Sequence, residues 1–97
     1  MNYSFHPEAE NELIEAVSYY ESCYRGLGHD FAQEVYTTIQ TICRFPYAWS
    51  SMSQNTRRCL LGRFPYGVIY QVKEDSVIII AIMQLNREPG YWNMRKI

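Results

Sequence analysis

Ala9, Leu13, Ala16, Val17, Tyr20 and Tyr24 recur chiefly at spacings of three and four, which puts them on one face of an α-helix. Glu8, Glu10, Glu12 and Glu15 occupy its other faces and lie near the end where the helix dipole favours negative charge. Pro7 presets the first turn, and the helix should end near Arg25-Gly26. After the break at Gly26-Leu-Gly28, Phe31, Val35, Ile39 and Ile42 repeat the pattern until Phe45-Pro46 stops it. So short a break permits only a tight turn, so the two helices should form an antiparallel hairpin.

Outside the helices the period changes. Asn2 to His6 alternates polar and aromatic side chains and reads as a short first strand, and the Ser- and Asn-rich stretch from Tyr47 to Asn55 reads as a surface loop. Arg57 to Leu61, Phe64 to Lys73 and Ser76 to Leu85 read as three further strands, the last two joined at Glu74-Asp75. The unbroken apolar run from Val77 to Ile82 indicates a strand covered on both faces, hence interior to its sheet. The order is β-α-α-β-β-β, an α+β fold in which a two-helix antiparallel hairpin packs on a small, mostly antiparallel sheet and the first strand returns to a sheet edge.

A chain of 97 residues, 47% of them hydrophobic, supports one domain over 1–97 with one main core, and leaves no room for separate cofactor and substrate domains. The first residues lack a basic, apolar leader and no apolar run is long enough to span a bilayer, so a cytoplasmic protein without membrane contact is expected. Cys23, Cys43 and Cys59 are odd in number and widely spaced, which points to free, mostly buried thiols rather than a disulfide frame or a metal site. No phosphate-binding loop or paired catalytic set is present either, so no cofactor is expected.

Charge is divided unevenly along the chain. Residues 1–50 hold seven acidic side chains against two basic ones, and residues 51–97 hold seven basic against three acidic, although the net formal charge is only −1. Near-neutral charge argues against sequence-specific DNA binding by this chain, while the local basic patch suits an acidic partner surface.

Four segments together resemble the RelE/ParE toxins of bacterial type II toxin–antitoxin modules. They are Phe5-His-Pro-Glu-Ala9, Gly26-Leu-Gly-His-Asp-Phe31, Arg63-Phe-Pro-Tyr-Gly-Val-Ile-Tyr70 and Arg87-Glu-Pro-Gly-Tyr-Trp92, in family order over nearly the whole chain. The resemblance implies a toxin of the plasmid-stabilisation type, neutralised by a cognate antitoxin whose flexible segment folds over it. Within the family, RelE-like members cut messenger RNA on the ribosome and ParE-like members poison DNA gyrase. Where RelE-like members carry strand lysines and a mid-strand arginine, this chain has Arg58, Leu60 and Gly67. Gln84 and Leu85 stand where many relatives have a histidine. Arg58 keeps a charge but, with a pKa above about 12, gives up no proton. The reading is therefore ParE-like, with gyrase as target and no confident catalytic residue. The alternatives are a ribosome-dependent mRNA endonuclease, using Arg58, Arg63 and Arg87 for phosphate charge and Tyr91 for the leaving group, and an inactive antitoxin-binding relative.

Tyr19, Arg57, Arg58, Arg87, Tyr91 and Trp92 are the candidates for contact with target or antitoxin, and each also has a structural reading. Arg57 and Arg58 are adjacent on a strand and must point to opposite faces, where either could be a solvated edge charge. Arg87 could pair with Glu12 or Glu15. Phe64, Tyr66 and Tyr70 share a face by parity and suit packing against the helices, as does Trp92 in the core.

Overall fold

The computed structural model describes residues 1–53 and 55–95, so one position of the expected 47–55 loop lies outside it. The elements are β1 (Asn2–Phe5), α1 (Pro7–Cys23), α2 (Leu27–Arg44), β2 (Ser51–Ser53), β3 (Thr56–Leu60), β4 (Tyr66–Lys73), β5 (Ser76–Gln84) and a short 3₁₀ turn at Asn93–Arg95. The sheet runs β1-β5-β4-β3-β2, with β1 parallel to β5 and the other pairs antiparallel. The expected α+β architecture and the edge position of β1 are both observed, and β5 is interior.

His6 joins strand to helix. Its backbone N–H donates to the Ile79 carbonyl at 2.9 Å, extending the β1–β5 ladder, and its Nδ1 accepts from the Glu8 N–H at 3.1 Å as the cap of α1. Pro7 takes the first helical position, where a missing N–H costs nothing. The hairpin turn is held by Glu21, which accepts from the N–H groups of Gly26 and Gly28 at 2.9 and 3.0 Å and so supplies the cap that Gly26 cannot. Gly26 adopts φ 87°, a conformation natural to glycine.

The helices approach closely here. A Cβ on Gly28 would sit 2.5 Å from the Val17 carbonyl oxygen, a backbone atom that cannot swing away. Gly28→Ala is expected to destabilise the fold by about 1–3 kcal/mol through overpacking, read as a lower urea midpoint at unchanged slope. A midpoint equal to wild type would mean that the hairpin opens there without cost.

Ala9, Leu13 and Ala16 of α1, and Phe31, Val35, Ile39 and Ile42 of α2, bury against Val68, Tyr70, Val77, Ile79 and Ile82 of the sheet. Phe31 touches three rings, Tyr20, Phe64 and Tyr66, with centroids 4.9–5.2 Å away. The Tyr70 hydroxyl donates to the Pro46 carbonyl at 2.7 Å, which pins the end of α2 to the sheet, and burial pushes its pKa up to about 12. The opposite sheet face carries a second cluster of Ile69, Ile80, Ala81 and Met83, closed by Trp92 from the C-terminal segment.

A bulge divides the apolar run between these two clusters. Ile69 pairs with Ala81 and Tyr70 with Ile79, which leaves Ile80 as the extra residue. The alternation of faces therefore inverts, so that Val77, Ile79 and Ile82 meet the helices while Ile80, Ala81 and Met83 meet Trp92.

Four sequence expectations shift. α1 stops at Cys23, and Tyr24, placed on its buried face by spacing, is 74% exposed in the turn. The expected loop contains strand β2, three residues paired to β3 through an irregular register. β4 starts at Tyr66 rather than Phe64, although Phe64 is still buried in the helix-facing core. Of the three free cysteines only Cys59 is buried, where desolvation raises its thiol pKa to about 11; Cys43 is half-buried and Cys23 exposed.

Candidate functional site

Beyond Phe5 strand β1 ends, and two side chains take over its role on the edge of β5. Glu12, on the second turn of α1, accepts from the Ile82 N–H at 3.0 Å, and Arg95 donates to the Ile80 carbonyl at 3.2 Å. The two also bind each other in a bidentate pair, with nitrogen–oxygen distances of 2.9 and 3.2 Å and side chains only 15% exposed. Backbone groups left open at the bulge are thus satisfied by a fork of carboxylate and guanidinium.

The chain reaches Arg95 through a compact return. Arg87 N–H bonds the Gln84 carbonyl at the end of β5, Gly90 turns at φ 95°, and the Asn93 and Arg95 N–H groups close on Gly90 and Trp92. Arg87 lies flat on Tyr91, its Cζ 3.6 Å from the ring centroid, with Arg95 at 5.1 Å from the same centroid. Its nearest nitrogen is 3.6 Å from Glu12, and half its side chain is open to solvent. Glu12 thus binds Arg95 tightly and Arg87 loosely.

The Tyr91 hydroxyl is buried beside Glu12 without reaching hydrogen-bond geometry. Burial, then the adjacent carboxylate, raise its pKa far above that of a free phenol. Tyr91 therefore stays protonated near neutral pH and cannot serve there as a base. Arg95 loses hydration on burial, and its hydrogen bonds to Glu12 together with the nearby negative charges outweigh that loss, so its pKa is raised and its charge secured.

Glu12 and Arg87 also line a pocket of about 230 Å³ with Glu15, Ala16, Tyr19, Tyr66, Ile82 and Gln84. On the outer side of the hairpin, Leu13, Ile14, Val17, Ala32 and Tyr36 line an apolar groove of about 500 Å³, at which Ile14 is 60% exposed.

The structure brings Arg87, Tyr91 and Tyr19 to one end of the sheet and disperses the other candidates. Arg57 donates to the Trp49 carbonyl at 2.7 Å and lies over the Tyr47 ring, bracing the loop after α2. Arg58 lies across Gly67, where an added Cβ would meet its Cγ at 3.2 Å. Arg63 pairs with Asp30 of α2 at 3.1 Å, on the exposed side of the hairpin. Trp92 is 2% exposed in the second cluster, as its packing reading expected. Of the two helix carboxylates open to Arg87, the fold selects Glu12. Arg95 was not a candidate, because a lone arginine eleven positions after β5 carries no signal of its partner.

No group of histidine, cysteine or carboxylate side chains able to hold a metal occurs among the described residues, and no helix among them is long and apolar enough to cross a membrane. His6 caps α1, and His29 lies on α2 beside Arg63 and Asp30, away from the Arg87 cluster. What the described site offers is a shaped, charged and aromatic surface on a small α+β scaffold.

Comparison with known proteins agrees with this class. The family profile described as "ParE toxin of type II toxin-antitoxin system, parDE" matches residues 3–89. Among solved structures, a chain of the "Chromosomal ParDE TA system from P. aeruginosa" shares the fold with a TM-score of 0.75 at 16% identity, over 89% of this chain and 97% of that one. A search of the curated proteins found no match. The chain belongs to the ParE toxin family of type II toxin–antitoxin systems.

Proposed function

We propose that this ParE-family chain acts in the cytoplasm by inhibiting DNA gyrase, and that a cognate antitoxin silences it by folding over its surface. The family match over residues 3–89 carries the reading. The site geometry supports a binding role, since Arg87 is displayed half-exposed on a Tyr91 platform, the Tyr91 phenol stays protonated, and the carboxylate beside Arg87, Glu12, is already engaged by Arg95. Ile14 and Tyr36, exposed along the apolar groove, suit the apolar face of an antitoxin segment that orders on binding.

Purified protein is expected to inhibit gyrase supercoiling, with Arg87→Ala raising the half-inhibitory concentration about tenfold, the equivalent of about 1.4 kcal/mol of target binding. Undiminished supercoiling at molar excess, with A-site cuts in mRNA on translating ribosomes, would instead establish the endonuclease reading. Normal growth on induction without antitoxin would identify an inactive antitoxin-binding relative.

A further inference from the structure

The pocket between α1 and the ends of β4 and β5 has a chemically selective lining. Ala16 and Ile82 are buried in its lining, Tyr19 and Tyr66 add aromatic rings, and Glu12, Glu15, Gln84 and Arg87 bring polar groups to it. Glu12 is already engaged by Arg95 and Arg87. Glu15 makes no ion pair among the described residues, so it is the anion that an incoming group would meet.

We infer that this pocket receives a basic side chain, arginine in preference to lysine, carried by the protein partner that neutralises the toxin. The inference rests on the toxin–antitoxin reading for the partner and on the pocket for the chemistry. Glu12 is balanced by Arg95 and Arg87, so the pull on a basic guest comes from Glu15, and α1 adds Glu8 and Glu10 to the field that a basic segment would meet. The Tyr19 and Tyr66 side chains in the lining supply aromatic surface that suits a flat cation. The same chemistry is already in use next door, where Arg87 lies 3.6 Å over Tyr91 beside Glu12. A planar guanidinium can stack on a ring while its N–H fork reaches a carboxylate and an amide oxygen, here Glu15 and Gln84, whereas an ammonium makes a point contact only. A pocket of 230 Å³ takes a single long side chain, unlike the 500 Å³ groove outside the hairpin.

The probes are the blocked tripeptides acetyl-Gly-X-Gly-amide with X as arginine, lysine, glutamate or norleucine, titrated into the ¹⁵N-labelled protein. The arginine peptide is expected to give saturable shifts centred on the amides of Ala16, Tyr19 and Ile82, stronger than those of lysine. Glu15→Gln, a change at an exposed residue that preserves the spectrum elsewhere, should weaken that binding about fivefold, the worth of an ion pair near 1 kcal/mol. Absence of localised shifts up to roughly 20 mM, equal shifts from glutamate or norleucine, or indifference to Glu15→Gln would overturn the inference. The titration needs no antitoxin. Growth arrest and its relief by a co-expressed antitoxin test the toxin reading separately, so either can fail alone.

Discussion

Glu12→Ala should unfold this protein at a markedly lower urea concentration, with a loss of about 1.5–3 kcal/mol, the usual result of removing charge-assisted hydrogen bonds from a half-buried pair. The cost follows from what the change strands. Arg95, 15% exposed, loses its bidentate partner, and the Ile82 N–H loses its acceptor. Out of a total stability of roughly 5–15 kcal/mol for a domain of this kind, that is a large share. Arg87→Ala removes a 3.6 Å ion contact and the guanidinium over Tyr91 at a half-exposed side chain, so its cost should stay within about 0.5–1.5 kcal/mol. The double variant Glu12→Leu/Arg95→Met should recover much of the loss, since it removes both charges together. Equal midpoints for the Glu12 and Arg87 variants would show that the fork is not locked.

Phe31→Ala is the second large effect, expected at about 3–5 kcal/mol because the emptied space cannot collapse among rings already in contact. Phe31 is 0% exposed and stacks on Tyr20 at 5.2 Å while meeting Phe64 and Tyr66 edge-on. Phe31→Leu keeps most of the volume and should cost less than about 1.5 kcal/mol. Chemical denaturation of both, beside Ile14→Ala at an exposed position, decides the matter. A Phe31→Ala cost no greater than that of Ile14→Ala would refute the central place given to this ring. Tyr66 leans on Phe31 and also lines the pocket, so the alanine variant should weaken the arginine tripeptide as well.

The helices, the edge position of β1 and the interior position of β5 were legible from the chain because each rests on a period that burial enforces. The side-to-side split within β5 was not. Val77 to Ile82 is apolar throughout, so no alternation marks where Ile80 is inserted. Strand β2 escaped for the opposite reason, as Ser51-Met52-Ser53 is short, mostly polar and paired to β3 through an irregular register. At the site, Arg87 and a helix carboxylate were readable as a pair, since the arginine follows β5 directly and acids crowd α1. The stronger pair, Glu12 with Arg95, depends on a return of chain through Pro89-Gly90 whose path no local pattern states. Tyr24 was misplaced because helical spacing continues in its position after the helix itself has stopped at Cys23.

The Glu12–Arg95 fork also sets an order in time. Its partners are 83 positions apart, the first near the start of α1 and the second after every strand has been made. The helical hairpin can form as soon as α2 is complete, whereas β1 must wait for β5, its sheet partner, and the edge of β5 beyond Phe5 stays uncovered until Arg95 reaches back. The fork therefore closes after the helices have paired, and what it closes is the edge of β5 beyond Phe5.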